Sequence, residues 1–505
     1  MLNTSYKGSI SMVTINEKFN SVRRSEKVLQ FGEGNFLRAF VDWQIDIANE
    51  KTDFNGNIVI VQPLEHNVTQ RFKNQNCLYT TILRGIQHGK NFEETRVITS
   101  VSRCLNAYDD YEEYIKIAEN PDLRFVVSNT TEAGIIYSPG CFLEDTPPKS
   151  FPAKCCQLLY KRFTFFKGSK ESGLVFIPCE LIEKNGQKLK EIVLQYADEW
   201  KLSKDFIKWI NEDCIFCSSL VDRIVPGFPK SDAPVWWTKF GYEDNLLDQA
   251  EPFYLWVIET DSDIEKLKKE LPLEKAGLNV IWTDDMTFYR TRKVRILNGT
   301  HSMFAAAAFM AGLNTVAESI LNPVVYSFIK MGLFAEIIPS MDGDRDALFK
   351  YAYDILERFS NPYIKHQLLD ICLNYSSKYK TRILPSIKAF YEKKGAVPQC
   401  LAFGIAAIIV YYNGKNVIDR SMTGNRDEES FVIKDDESVL HFFEDLYKST
   451  NAPEKLAHAV LSNLDLWGED LTKLGDLEKV VAHDIEEIQN RGMMAAMDSV
   501  RPTMF

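Results

Sequence analysis

The chain has 505 residues, 45% of them hydrophobic and 26% charged, with a net charge of −11. That length exceeds one ordinary core and predicts two or three domains; the composition is that of a folded globular protein, not a disordered or fibrous one. A net acidic surface argues against nucleic acid or an anionic membrane as partner, while leaving room for an anionic small molecule held by a local cluster of Arg and Lys.

The N-terminal stretch Met1-Leu-Asn-Thr-Ser-Tyr-Lys7 has no basic start followed by an apolar run, so a cytoplasmic location is expected. Lys27 to Phe31 reads as a strand, followed by a Gly turn and a helix from about Phe36 to Asn49. Asn57 to Gln62 reads as a second, buried strand; Arg96 to Val101, Arg124 to Ser128 and Leu174 to Pro178 look like further ones. Helical stretches lie between, including Asp109 to Asn120 and Gln187 to Glu199. Alternation of helices with continuously apolar strands predicts a parallel, doubly wound sheet. Tyr254 to Glu259 and Val280 to Trp282 are taken as late strands of that same sheet.

From about residue 290 the β signals fade. Helices are expected at Arg292 to Leu313, Val316 to Leu321, Pro323 to Lys330, Arg345 to Arg358, Ile364 to Tyr375, Ile383 to Lys394 and Leu401 to Tyr412. Later ones follow at Glu437 to Tyr447, Pro453 to Leu461 and Leu477 to Asn490, and polar Gly414 to Glu429 reads as an exposed loop. The expected division is an α/β unit over residues 1–288 and an all-α unit over 289–505. The apolar run Cys400 to Tyr412 falls short of the ~18 residues that span a bilayer, so no membrane partner is expected. Ten cysteines in so long a chain suggest no disulfide framework, and the lone pair Cys214 and Cys217 reads as buried thiols. With no second CxxC and no HExxH or HxH among seven histidines, no metal site is expected.

Two segments carry chemistry. Gly32-Glu-Gly34-Asn-Phe36 follows the first strand and opens the first helix. Gly32 suits a tight turn, Gly34 lets a pyrophosphate approach a residue without Cβ, and the helix start offers unpaired N–H groups. Leu37 stands where the third glycine of a dinucleotide fingerprint falls. At the end of the second strand, where an acid usually takes the ribose hydroxyls of NAD, stands Gln62, with Arg71 beyond it. The amide can bond a 2′-hydroxyl but brings no charge against a 2′-phosphate, so NAD over NADP is a preference. The second segment is Lys293-Val-Arg-Ile-Leu-Asn298-Gly-Thr-His301. On an ideal α-helix these three polar residues stand at roughly 0°, 140° and 80°, within one arc. An amine, an amide and an imidazole facing one site can move a proton on and off a carbinol oxygen.

Together, Gly32-x-Gly34-x-Phe36-x-Arg38-Ala39 and Lys293-x4-Asn298-x2-His301 resemble the polyol-specific long-chain dehydrogenase/reductase family, which includes the mannitol dehydrogenases. Ser128-Asn-Thr-Thr-Glu132-Ala-Gly134, Val221-Asp222-Arg223-Ile224 and Arg358-Phe-Ser-Asn361-Pro362 match in order. Longer stretches, including Pro178-Cys-Glu-Leu-Ile182, Asn361-Pro-Tyr-Ile-Lys-His-Gln367 and Arg382-Ile-Leu-Pro385, resemble its keto-uronate-reducing branch. The resemblance implies a Rossmann-type N-terminal domain, a helical C-terminal domain, a cleft between them, and zinc-independent hydride transfer with NAD. It implies cofactor contacts from Phe31, Gly32, Gly34, Asn35, Phe36, Gln62, Ser128, Thr131 and Glu132. Lys293 becomes the acid/base, Asn298 a donor to the reacting oxygen, and His301 a ligand of a neighbouring hydroxyl. Asp222 and Arg358 align with substrate positions. Leu181 stands where mannitol dehydrogenases carry an asparagine that helps stabilise the alkoxide, so half of that arrangement is missing or supplied from elsewhere.

A free lysine titrates near about 10.4, so Lys293 needs burial or cationic neighbours to work near neutral pH. A sugar acid also needs its carboxylate held; Arg358, Lys365, His366, Lys380 and Arg382 are the candidates. The expected partner is a small sugar acid, bound by a monomer or small homo-oligomer. A hexitol dehydrogenase or the reductase of an epimeric keto-uronate is the alternative within the family; a nucleotide-binding regulator without catalysis is the alternative outside it.

Overall fold

The computed structural model describes residues 12–130 and 134–501. It divides into two compact units, Met1–Arg84 with Asn91–Met286, and Gly85–Lys90 with Thr287–Phe505.

The first unit is built on six strands: β1 (Ser25–Phe31), β2 (Gly56–Gln62), β3 (Val101–Asn106), β4 (Phe125–Ser128), β5 (Val175–Pro178) and β6 (Ile215–Phe216). They lie in the order β3-β2-β1-β4-β5-β6, and every neighbouring pair is parallel. Alternate residues feed two cores: Val28, Ile58, Ile60, Val127 and Ile177 on one face, and Leu29, Val59, Val61, Val126 and Phe176 on the other. Two covered faces are why these strands read as continuous apolar runs. The chain order reverses between β1 and β4, the switch point outside whose carboxyl ends ligands of such sheets bind.

Three sequence expectations need correcting here. Leu255–Glu259 and Val280–Thr283 do not extend the main sheet; they pair in parallel with each other, and Leu255–Glu259 runs antiparallel to Ser218–Asp222 in a separate sheet. An apolar run reports burial, not the identity of its partner strand. Arg96 to Val101 is not one strand but the end of Lys90–Ile98 and the start of β3, broken at Thr99 and Ser100. There Asp46 accepts from the Thr99 N–H at 2.8 Å and from its hydroxyl at 2.9 Å. Lys90–Ile98 belongs with Tyr79–Gln87 and Asp248–Ala250 in a third sheet.

The second unit is largely helical. Its centre is Gly299–Met310 and Gln399–Tyr411, buried along almost their whole lengths. They approach closely at Gly404, where a Cβ would lie 3.1 Å from the Met303 carbonyl oxygen. Pro398 at the start of Gln399–Tyr411 has no capping side chain, and Glu336 takes that role: its carboxylate accepts from Cys400 N and Leu401 N, both at 3.0 Å.

Two stretches depart from an all-α reading. The loop expected at Gly414 to Glu429 is an antiparallel meander of Gly414–Ile418, Ser421–Arg426 and Glu429–Lys434. It is mostly exposed and carries little apolar alternation, so periodicity could not show it. The helix expected from Ile364 starts at Leu368 and stops at Ile371. The His366 carbonyl accepts from Val316 N (3.0 Å) and Leu368 N donates to Asn314 O (2.9 Å), so residues 366–368 pair across instead of coiling. Among the described residues no helix is long and apolar enough to cross a membrane. All ten cysteines are buried free thiols, Cys214 and Cys217 among them, and burial pushes both of these up to about 12.

Candidate active site

The nucleotide turn sits at the switch point. Gly32 has φ +115°, a left-handed conformation that a side chain disfavours, and a Cβ there would stand 3.0 Å from the Asn129 carbonyl oxygen. Its N–H donates to Val61 O at 3.0 Å, and Asn129 N donates to Phe31 O at 3.1 Å, so the turn is stitched to the ends of both β2 and β4. Gly34 caps the helical run that begins at Asn35, and a Cβ on Gly34 would meet no protein atom within 4 Å. Fixed backbone at Gly32 and open space over Gly34 fit a dinucleotide phosphate.

The other nucleotide-side residues divide by what their side chains do. The Phe31 ring is buried between Tyr114 and Phe151, leaving only its backbone for a ligand. Asn35 Oδ1 accepts from Arg38 at 2.6 Å, and Phe36 stacks on Phe40 with centroids 5.0 Å apart. Ser128 Oγ donates to Glu180 at 3.1 Å, and Glu180 also takes Thr130 N at 2.9 Å. Burial raises the Glu180 carboxyl above its ordinary range, against these hydrogen bonds. Leu181 beside it is 62% exposed within its unit. Thr131 and Glu132 lie outside the described residues. Asp222 is buried at the end of Ser218–Asp222.

Gln62 stands at the end of β2, as the sequence suggests, with its amide already engaged. Its Oε1 already accepts from Val68 N (3.0 Å) and Asn106 Nδ2 (3.2 Å), while its Nε2 donates to Glu33 at 3.1 Å. The acceptor expected from Gln62 is therefore committed within the protein.

In the second unit, Lys293–Asn298 is not α-helical but a π-turn between Thr287–Arg292 and Gly299–Met310. Bonding from i to i+5 needs more than four residues per turn, so residues five apart stand closer in angle than on an α-helix. Lys293 and Asn298 are five apart; the π-turn closes most of the angle that an ideal α-helix puts between them. Arg295 is held by Ser386 and, at 3.0 Å, by Ser340, and the Arg292 guanidinium lies 4.4 Å from the Tyr351 ring centre.

His301 is buried, stacked 4.2 Å from Phe359 and edge-on to His366 at 4.9 Å. Its Nε2 has no hydrogen-bond partner among the described residues. Burial first, then His366, Arg358, Arg382 and Lys378, hold its pKa well below the ordinary value. Arg382 makes a long bond to Ser302 (3.4 Å), and burial lowers its pKa and that of Lys378. Asp354 lies near Arg358, and Asp370 and Asp435 near Lys378. Thus His301, His366, Arg358 and Arg382 come together. Lys365 is exposed, and Lys380 points its ammonium toward Gly468. Sequence reasoning missed Lys378, although it stands four residues before Arg382 on one face of Tyr375–Arg382. Among the described residues no group of three or more His, Cys, Asp or Glu could hold a metal ion.

A parallel sheet with this strand order and glycine turn, followed by a largely helical unit, defines a nucleotide-binding α/β protein with a helical partner unit. The mannitol dehydrogenase Rossmann-domain model matches residues 26–272 and the mannitol dehydrogenase C-terminal-domain model matches residues 285–489. The chain belongs to the mannitol dehydrogenase family. It is 43% identical over 479 residues to an altronate oxidoreductase of Phocaeicola vulgatus, covering 95% of this chain and 97% of that one. It is 43% identical over 497 residues to an altronate oxidoreductase of Escherichia coli, covering 97% and 100%. Its fold resembles a substrate-free D-sorbitol dehydrogenase (TM-score 0.74, 23% identity, 96% and 100% covered). It also resembles a Pseudomonas fluorescens mannitol 2-dehydrogenase in ternary complex with NAD and D-mannitol (TM-score 0.66, 22% identity, 94% of each).

Proposed function

We propose that the protein is an NAD-dependent oxidoreductase that interconverts D-tagaturonate and D-altronate. The observation that carries this reading is the 43% identity to altronate oxidoreductases over nearly the full length of both chains. The cationic surroundings of His301 agree with it, because a keto-uronate brings a carboxylate that a neutral ketose lacks.

Phe31 and Gly32 through their backbone, Gly34, Asn35, Phe36 and Ser128 would hold the dinucleotide, together with Thr131 and Glu132. Bound there, a nicotinamide supplies hydride to the keto carbon or removes it from the carbinol carbon. Lys293, as ammonium, donates a proton to the oxygen that gains negative charge in reduction, and as amine takes it back in oxidation. Asn298, in the same π-turn as Lys293, donates its amide N–H to the same oxygen. His301 offers its Nε2 to a neighbouring hydroxyl, and Arg358 and Arg382, with His366 beside them, hold the carboxylate. Asp222 adds a hydroxyl acceptor.

The test is NADH oxidation with a panel of tagaturonate, fructuronate, fructose and fructose 6-phosphate. Tagaturonate is expected to give the highest kcat/KM. A higher value with fructose or fructuronate, or no turnover with any of the four, overturns the reading.

A further inference from the structure

In sheets of this kind the residue at the end of β2 reads the adenosine ribose, and an acid there accepts from its hydroxyls while repelling a 2′-phosphate. Gln62 occupies that place, buried, with its carbonyl oxygen saturated by Val68 N and Asn106 Nδ2. Its amide nitrogen reaches back across the switch-point turn and holds the carboxylate of Glu33 at 3.1 Å. Glu33 stands between Gly32, whose φ of +115° turns the chain, and Gly34, above which there is open space. A carboxylate is therefore present within one hydrogen bond of the end of β2, although no acid occurs there in sequence.

We infer that Glu33, positioned by Gln62, is the residue that accepts from the ribose hydroxyls and sets the preference for NAD over NADP. Gln62 acts through Glu33 and is a positioning residue. The inference rests on the nicotinamide-dependent reading above and adds to it which side chain discriminates. The groups facing Glu33 are consistent with the role. Burial raises its pKa above the ordinary value, while its own backbone N–H, Arg38, Gln62 and His66 act against that rise. An ionised carboxylate makes the stronger, charge-assisted bond to a hydroxyl and repels a phosphate dianion.

The experiment is equilibrium titration of the full-length protein, by intrinsic tryptophan fluorescence, with NADH, NADPH, ADP-ribose and 2′-phospho-ADP-ribose. Wild type is compared with Glu33→Gln and Glu33→Ala. Both variants are mild, because the residue is half-exposed in a turn. Wild type is expected to bind ADP-ribose more tightly than its 2′-phosphate. Glu33→Gln should narrow that ratio by about tenfold or more, the size of one charge-assisted hydrogen bond. Gln62→Leu should narrow it in the same direction while leaving a carboxylate in the turn. A wild-type ratio that survives Glu33→Gln and Glu33→Ala unchanged overturns the inference alone. A wild type that prefers the 2′-phosphate overturns it too, and one that binds no dinucleotide overturns the nicotinamide reading along with it.

Discussion

The two units build their sites from different materials. In the first, backbone does most of the work: a left-handed glycine, open space over a second, and strand ends that fix a turn between β2 and β4. In the second, side chains do it: a buried imidazole and a set of cations, Arg358, Lys378 and Arg382, drawn from two helices. A backbone site is inseparable from the fold, so damage to it reaches stability. A side-chain site can be emptied with the fold left standing. The contrast makes distinct, measurable demands on the two halves.

The largest expected effect tests the side-chain half. Lys293→Met removes the only acid/base assigned to the reaction while keeping an unbranched stem of similar length. Turnover should fall by about 10³-fold, within the range seen for general acid–base catalysis, with NADH affinity from fluorescence titration and Tm both near wild type. Near-normal turnover would reject the assignment of Lys293. A large fall in Tm would break the comparison instead.

Next come the two glycines. Gly32→Ala forces a Cβ into a left-handed conformation against the Asn129 carbonyl and should cost about 1–3 kcal/mol of stability, read by chemical denaturation. Gly34→Ala meets no protein atom, so stability should change by less than about 0.5 kcal/mol. Dinucleotide affinity should nevertheless fall about tenfold, because the new methyl group occupies space assigned to the phosphate. Equal stabilities for the two variants would show that the turn is not fixed as described.

The cationic set is then sharpened by Arg382→Met. KM for tagaturonate should rise by about tenfold or more, the loss of one hydrogen bond to a charged group, with little change in whatever KM a neutral ketose shows. A parallel rise for both substrates would mean that Arg382 supports the pocket without touching a carboxylate.

The same contrast governs what could be read from the sequence. The β1 and β2 strands and the glycine turn were legible because each is local: apolar runs covered on both faces, and a turn written in three residues. Lys293, Asn298 and His301 were legible as a set for the same reason. Their geometry was not, since angles reckoned at 3.6 residues per turn miss a π-turn. Glu33 and Gln62 lie 29 positions apart and meet only through the switch point. His366 was expected inside a helix, yet its carbonyl is taken by Val316 N, a pairing that no local period announces. The meander from Gly414 to Lys434 buries only a few residues, Met422 and Ile433 among them, and its outer strands are mostly exposed, leaving too short an apolar alternation to read.

The smallest effect concerns stability in the helical unit, away from its proposed site. Asp484 has an Oδ2 without a hydrogen-bond partner, and burial, with Glu487 and Glu336 adding repulsion, raises its pKa to about 8. In the unfolded chain an Asp titrates near about 3.9. Between those values the folded state holds the proton and the unfolded state does not, so stability falls as pH rises across that window. Asp484→Asn removes this group from the balance and should flatten the decline. The gain should be absent at pH 4 and grow to a few degrees in Tm by pH 9. Glu336, raised to about 7 by burial, belongs to the same neighbourhood but also caps Gln399–Tyr411 through Cys400 N and Leu401 N. Glu336→Gln should therefore lower Tm, because the amide has one acceptor oxygen for the two N–H groups that the carboxyl oxygens take, and its NH2 would face the other. A gain from Asp484→Asn that does not depend on pH would show that its burial, and not its ionisation, is what costs stability.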